Sequence, residues 1–288
     1  MMLEEKIAMA QTIRGRDRFG PVSPEELAAL PGTETELHIP VEGGRTVHVY
    51  EERPDHLPEK AALVLNFHGG GFIKGRTDRD RRYCCTIMEQ LNVLVWDVDY
   101  CIAPEEPFPA AVEEAYGIAA YAFDHAEELG IDPDKIILAG HSAGGNLVAA
   151  ACLKNAESHR FSPCCVLMEY FPVDNAASPV ERLSPQLRAD PFWVKRAETE
   201  KLYTDFYVGD ADPAQPLCSP LNAADEALAS FPDSLREDVE AFVLRLVKAG
   251  VCVTAQRIPE AMHGFTTNRT PGWERALALH CKFFRQHL

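Results

Sequence analysis

Several features that would place the chain in a particular class of protein are missing from its sequence. No apolar run approaches the roughly 20 residues that a membrane-spanning helix needs. The 28 lysines and arginines are outnumbered by 44 aspartates and glutamates, and the net charge of −16 argues against binding to nucleic acid or anionic membranes. Glu4 and Glu5 precede the first short apolar stretch, whereas a secretory signal begins with positive charge. These absences predict a soluble, cytoplasmic protein.

Cysteine pairs with metal-binding spacing are also absent. The chain contains nine cysteines, an odd number, and no Cys-x-x-Cys pair, so neither a zinc site nor a redox motif is indicated. Several cysteines lie inside apolar runs, where a free thiol behaves as a small buried hydrophobe. We therefore expect no disulfide framework, no metal ion and no other cofactor.

Short apolar runs alternate with helical patterns through the middle of the chain. The runs are 62–67, 93–98, 135–139 and 164–169, and the helical patterns are 79–91, 109–129 and 143–157. This alternation is typical of the α/β class, in which helices cover both faces of a mostly parallel sheet. Before this alternating region, the sequence predicts a β-hairpin (36–41 and 46–51). After it, the sequence predicts a helix with apolar spacing over 235–247, a strand over 251–258 and a final helix over 273–287.

A G-x-S-x-G sequence at residues 140–144 lies between a predicted strand and a predicted helix. Glycines on both sides of Ser142 permit a sharp turn, which leaves the serine hydroxyl exposed at the edge of the sheet. The N-terminus of the helix adds free N–H groups and a positive dipole beside that hydroxyl. This context predicts that Ser142 is a nucleophile, the alternative being a chance glycine-rich turn.

Three consecutive glycines, Gly69 to Gly71, follow another predicted strand. Without Cβ atoms, backbone N–H groups can approach a substrate oxygen closely. We expect the N–H groups of Gly69 and Gly70, with that of Ala143, to form an oxyanion hole. The alternative, a phosphate-binding loop, would require a Lys-Ser/Thr pair that does not follow these glycines.

The predicted base for Ser142 is His263. In α/β enzymes with a G-x-S-x-G turn, the chain order of the triad is serine, acid and then histidine. Of the ten histidines, only His263 lies in a glycine-flanked loop after a late predicted strand. A histidine of a surface loop is the alternative.

These motifs, with the segment 99–110 (DYCIAPEEPFPA), resemble the hormone-sensitive-lipase family of α/β-hydrolases. Gly145-Asn146 and Ser219-Pro220-Leu221 match the family as well, whereas His141 stands where the family commonly has Asp. The resemblance implies one α/β-hydrolase domain over 1–288, with a cap built from about residues 1–40 and 171–221. It also implies a carboxylic ester hydrolase, and a possible homodimer formed through the last strand and helix.

The resemblance is less complete at the triad acid. The family has an apolar strand that leads into D-x-L-R-[DE], and the Asp of that motif orients the catalytic histidine. Asp233 begins the matching Asp-Ser-Leu-Arg-Glu, but about nine strand-forming residues that the pattern places before it are missing. Because an interior strand cannot be lost without unpaired backbone groups, a real deletion requires residues 225–232 to pair in its place, or Asp233 cannot reach His263. The resemblance implies Asp233 as the acid, and the alternatives are Asp225, Glu226, Asp238 and Glu260.

The predicted function is hydrolysis of short- to medium-chain acyl esters through an acyl-enzyme on Ser142. Five aromatic residues of the insertion either line a modest apolar pocket or anchor the cap to the core: Phe192, Trp193, Tyr203, Phe206 and Tyr207. One alternative is a non-catalytic protein that binds small molecules, although the presence of both Ser142 and His263 speaks against it. A deacetylase or amidase would use the same site, while a serine peptidase of this fold would more often carry a further large domain.

Overall fold

The computed structural model describes residues 1–17, 19–229, 231, 234–237, 240–259 and 261–288. The strands in these ranges are β1 (Thr33–Val41), β2 (Arg45–Arg53), β3 (Ala61–Phe67), β4 (Leu94–Asp99), β5 (Ile131–His141), β6 (Cys165–Glu169), β7 (Ser234–Glu237) and β8 (Val253–Ala255). The helices in the same ranges are α1 (Leu3–Arg14), α2 (Pro24–Ala28), α3 (Asp78–Leu91), α4 (Ala110–Asp124), α5 (Ala143–Ser158), α6 (Pro179–Arg182), α7 (Pro185–Arg188), α8 (Pro191–Val208), α9 (Asp225–Leu228), α10 (Glu240–Lys248), α11 (Phe265–Asn268) and α12 (Trp273–Arg285).

The eight strands form one sheet in the order β1-β2-β4-β3-β5-β6-β7-β8. β1 and β2 make the predicted antiparallel hairpin, and β2 also runs antiparallel to β4. Every other pair of neighbouring strands is parallel. The prediction of a mostly parallel sheet is therefore confirmed.

The central strands are apolar on both faces because helices cover both. All residues of β3 and β6 are buried. Successive side chains of a strand point to opposite faces, so Val64 packs in one cluster with residues of α3 and α12. Its neighbour Leu65 packs in the other cluster with residues of α4 and α5. This layering accounts for the continuous apolar runs in the sequence.

The region between α9 and β8 differs from the sequence prediction. Residues 225–228 form helix α9, so the expectation that 225–232 would pair in the sheet is wrong there. The strand between β6 and β8 is β7, formed by residues 234–237 of the motif itself. An interior strand position must be filled to satisfy the backbone groups of its neighbours, and this need outweighs the helical spacing of 235–247. Accordingly, α10 begins only at Glu240, and the predicted strand 251–258 is reduced to β8.

The parallel strands bring the predicted site residues to one edge of the sheet. His68 directly follows β3, Ser142 directly follows β5, and Glu169 is the last residue of β6. In open α/β sheets, ligands bind in the crevice outside the carboxyl ends of the strands. Within the described ranges, no helix combines the length and the hydropathy that a bilayer span requires.

Candidate active site

Ser142 occupies a strained turn between β5 and α5. Its φ of 52° and ψ of −118° lie in a region that non-glycine residues rarely adopt. A hydrogen bond of 2.9 Å from its backbone N–H to the Glu169 carbonyl holds the turn against β6. The flanking glycines are required by close packing, because a Cβ on Gly140 would lie 2.4 Å from the Gly144 carbonyl and one on Gly144 would lie 1.9 Å from the Phe67 oxygen.

The structure brings Ser142 and His263 together. Ser142 Oγ lies 2.8 Å from His263 Nε2, which is hydrogen-bonding distance for transfer of a proton from the hydroxyl to the ring. His263 lies in the loop between β8 and α11, as expected, and the Tyr170 ring packs against it with centroids 4.9 Å apart. The two residues are 121 positions apart in the chain, so this contact is a product of the fold.

The glycine loop lies against the nucleophile turn. A Cβ on Gly69 would lie 3.3 Å from the His141 oxygen and 3.5 Å from Ser142 Cβ. Gly70 has a φ of 128°, and a Cβ there would lie 2.6 Å from the Lys74 carbonyl oxygen. Ala143 is the first residue of α5, where backbone N–H groups have no partner within the helix. The backbone of Gly69 and the first turn of α5 therefore both lie beside Ser142.

His68, the residue directly before the glycine loop, is anchored in the protein interior. Its ring is fully buried, stacks on Tyr100 with centroids 4.2 Å apart, and places Nε2 3.4 Å from Asp99 Oδ1. The Tyr100 hydroxyl donates to the His68 carbonyl at 2.8 Å. Burial disfavours the charged ring, but the nearby Asp99 carboxylate prevails and raises the pKa of His68 above its ordinary value. These contacts fix the backbone from which Gly69 extends.

A charged cluster extends behind this loop to β2. Arg76 donates to Asp97 and to Glu34, each at 2.5 Å, and lies 3.4 Å from the Glu52 carboxylate. Glu52 is fully buried, and the Cys85 thiol donates to it at 3.4 Å. Burial, and to a smaller extent the neighbouring Glu34, raises the pKa of Glu52 to about 8. This carboxyl is therefore largely protonated at neutral pH.

Glu52 makes the stability of the protein depend on pH. Between about pH 4.5 and 8 the folded chain retains a proton that the unfolded chain releases, so this contribution to stability is lost as the pH rises through 8. Glu52→Gln, which is neutral throughout, is expected to match the wild-type Tm at pH 5 and to exceed it by about 3 °C or more at pH 8.5. Thermal unfolding at both pH values measures this, with the exposed Glu181→Gln as control. An equal Tm difference between the Glu52 variant and the wild type at both pH values would contradict the raised pKa of Glu52.

The predicted acid Asp233 lies outside the described residues, as do the alternatives Asp238 and Glu260. Of the remaining two alternatives, Asp225 is exposed and pairs with Arg245 at 2.6 Å. Glu226 is exposed on α9. The structure therefore brings together the serine, the histidine and the glycine loop, while the acid stays a prediction.

Two segments from outside the sheet contact the glycine loop and the residues around it. Arg14 of α1 donates to the carbonyls of Ile73 and Ala103, at 2.6 and 2.9 Å. On α8, Tyr207 stacks on Phe72 with centroids 3.7 Å apart. The Tyr203 ring lies so close to Gly71 that a Cβ on that glycine would be 2.4 Å from Tyr203 Cδ2.

Two of the insertion aromatics fit the anchoring role that the sequence left open. Phe206 and Tyr207 are buried in the core, which fits the anchoring role, whereas Phe192 is 51% exposed. A cavity of about 510 Å³ lies between the start of α1, α8 and residues 175–179, and Phe206 is one of its lining residues. Ser142 and His263 do not line this cavity.

Glu169 belongs to none of the motifs in the sequence. This carboxylate is fully buried next to the nucleophile turn, with His141 Nδ1 2.6 Å from its Oε2. The one signal for it in the sequence is an acidic residue at the end of an otherwise apolar strand. His141, the residue before Ser142, is its partner.

Comparison with known proteins agrees with this geometry. Residues 64–267 match a family model described as the alpha/beta hydrolase fold. The carboxylic ester hydrolase LipN of Mycobacterium tuberculosis is 32% identical over 256 residues, which cover 82% of this chain and 66% of LipN. The mouse hormone-sensitive lipase is 37% identical over 135 residues, 46% of this chain and 18% of the lipase.

The fold agrees with solved structures over nearly its whole length. The crystal structure of carboxyl esterase 2 from the fungus Tuber melanosporum superposes with a TM-score of 0.79 at 25% identity, covering 98% of each chain. The chain spans about two thirds of LipN and a smaller share of the mouse lipase. The chain belongs to the α/β-hydrolase family, in the branch that includes hormone-sensitive lipase.

Proposed function

We propose that the protein is a serine carboxylesterase that hydrolyses short- to medium-chain acyl esters. The observation that carries this proposal is the 2.8 Å contact between Ser142 Oγ and His263 Nε2, made at a strained turn beside two sets of backbone donors. A serine hydroxyl in this position is activated when the adjacent imidazole removes its proton. The names of LipN and of the fungal esterase, both ester hydrolases, support the same reaction.

In the first half of the proposed reaction, Ser142 attacks the ester carbonyl while His263 accepts the hydroxyl proton. The developing oxyanion accepts hydrogen bonds from the N–H groups of Gly69, Gly70 and Ala143. Each donor of this kind typically lowers the barrier by about 3 kcal/mol. His263 then donates its proton to the departing alcohol, which leaves the acyl group on Ser142.

In the second half, His263 removes a proton from water, which attacks the acyl-enzyme at the same carbonyl carbon. Collapse of the second tetrahedral intermediate returns the proton to Ser142 and releases the carboxylic acid. Asp233 is proposed to hold the imidazole in the required tautomer and to stabilise its charged form. Each of these steps uses water, the substrate and the side chains and backbone N–H groups of this chain.

The N-terminal residues up to about 40 and the insertion at about 171–221 are proposed to form a cap on a single domain. The contacts of Arg14, Tyr203 and Tyr207 with the glycine loop and the segment after it support this arrangement. Because the Tyr203 ring lies against Gly71, the cap restricts the space beside the N–H groups that are proposed to bind the substrate oxygen. This restriction favours small acyl groups.

Initial rates on p-nitrophenyl acetate, butyrate and octanoate test the proposal. We expect rapid turnover of the acetate and butyrate esters. The kcat/KM for the octanoate ester should be lower by at least about tenfold, as for a pocket that excludes several methylene groups. Tyr203→Ala should raise the octanoate rate relative to acetate. Folded protein that turns over none of the three esters would contradict the proposal and favour a binding protein on this scaffold.

A further inference from the structure

Glu169 contacts both halves of the candidate active site. Through its backbone carbonyl it accepts the N–H of Ser142 at 2.9 Å. Through its side chain it accepts a hydrogen bond from the Thr266 hydroxyl, and Thr266 lies three residues after His263. A single residue at the end of β6 thus connects the nucleophile turn to the segment that carries the base.

The surroundings of Glu169 keep its carboxylate charged and in place. His141 Nδ1 lies 2.6 Å from Oε2 and His280 Nε2 lies 3.6 Å from Oε1. Burial alone would raise the pKa of Glu169, but His280, His141 and Thr266 lower it below its ordinary value. The Tyr83 hydroxyl lies 3.2 Å from His280 Nδ1, which fixes the far side of the cluster. A buried carboxylate with several partners is a rigid support, because each partner restricts its rotamer.

The loop that carries His263 needs such a support in this chain. The strands before it are short, since β7 has four residues and β8 has three. The loop continues into α11, a single turn, and Arg82 of α3 donates to the Thr267 carbonyl at 3.0 Å. The Tyr170 ring packs on this segment, and the Glu169 carboxylate adds a side-chain hydrogen bond from Thr266 to the strand beside the nucleophile.

We propose that Glu169 is a positioning residue for the proposed esterase reaction: through Thr266 it sets the place of His263 relative to Ser142. The role is distinct from that of the triad acid, because both carboxylate oxygens are already engaged by His141 and Thr266. It rests on the proposed function, since positioning has an effect only if His263 transfers protons. Misplacement of a reacting group by about 1 Å can cost roughly 10²-fold in rate.

The dependence on the leaving group separates positioning from a purely structural role. An alkoxide leaves only when His263 donates a proton to it, whereas p-nitrophenolate leaves with little help. Displacing His263 should therefore lower kcat/KM more for ethyl butyrate than for p-nitrophenyl butyrate. Partial unfolding would lower both by the same factor.

Thr266→Val removes the hydroxyl with little change in shape, and Thr266→Ser keeps it. We expect Thr266→Val to lower kcat/KM by about 10²-fold for ethyl butyrate and by about tenfold or less for p-nitrophenyl butyrate, and Thr266→Ser to retain the wild-type ratio. Thr86→Val is the matched control, because among the described residues the Thr86 hydroxyl donates to the Arg82 carbonyl of its own helix, and its loss should leave both rates unchanged. Tm values of all variants establish that the assays use folded protein.

Equal losses for the two esters in Thr266→Val, or no loss in either, would overturn the positioning role. Such an outcome leaves the proposed function intact if the wild type hydrolyses both esters and Ser142→Ala hydrolyses neither. Only the role of Glu169 is then overturned. If the folded wild type hydrolyses neither ester, the proposed function fails and the positioning role fails with it.

Discussion

Replacement of Ser142 by alanine is expected to lower kcat for p-nitrophenyl butyrate by at least about 10⁴-fold, because a serine nucleophile has no substitute in acyl transfer. The backbone of the turn is held by the flanking glycines and by the bond from its N–H to Glu169, neither of which depends on the hydroxyl. The variant should therefore fold, with a Tm close to that of the wild type. Rate and Tm measured on the same preparation test both expectations.

Ser158→Ala serves as the matched control for this result. Ser158 is the last residue of α5, the helix that begins directly after Ser142. Its hydroxyl lies 2.8 Å from the Tyr116 hydroxyl, at the opposite end of this helix from the site. Its loss should leave kcat unchanged within about twofold, as for most changes away from a reacting centre. Retention of more than about one hundredth of the wild-type activity in Ser142→Ala would rule out Ser142 as the nucleophile.

Removal of the triad acid should have the second largest effect. Asp233→Asn is expected to lower kcat by about 10⁴-fold, since an amide in this position favours the wrong imidazole tautomer. Asp238→Asn and Glu260→Gln are expected to stay within about threefold of the wild type. Steady-state kinetics of the three variants on one substrate make the comparison.

The position of β7 makes Asp238 the informative comparison. In the described register, Glu237 lies opposite Glu169, so the carboxyl end of β7 reaches the edge of the sheet that carries Ser142. Asp238 follows Glu237 in the chain, whereas Asp233 precedes Ser234, which pairs with Val166. If Asp238→Asn shows the large loss and Asp233→Asn does not, the acid comes from the carboxyl end of the strand and the motif-based assignment is wrong.

The nucleophile turn and the glycine loop could be predicted because their geometry is determined locally. Gly140 and Gly144 must lack side chains for the chain to turn at Ser142, and Gly70 must adopt a positive φ. Such requirements are visible in a few adjacent residues. His263 could be predicted because chain order and a single glycine-flanked loop left few competitors.

The structure around β7 could not be predicted from local pattern. Residues 235–247 have helical spacing, yet 234–237 join the sheet, because β6 and β8 both require a partner there. The role of Glu169 was equally hidden, since Thr266 and His280 are about a hundred residues away in sequence. Sequence periodicity contains no information about which distant side chain will meet a buried carboxylate.

Covalent labelling with diethyl p-nitrophenyl phosphate tests most directly whether Ser142 is a nucleophile activated by His263. Folded protein is incubated with the reagent, and the modified peptide is identified by mass spectrometry. One diethylphosphoryl group per chain is expected on Ser142, with much slower labelling in His263→Asn and none in Ser142→Ala. Labelling of a different residue, or no labelling of the folded wild-type protein, would contradict the proposed catalytic pair.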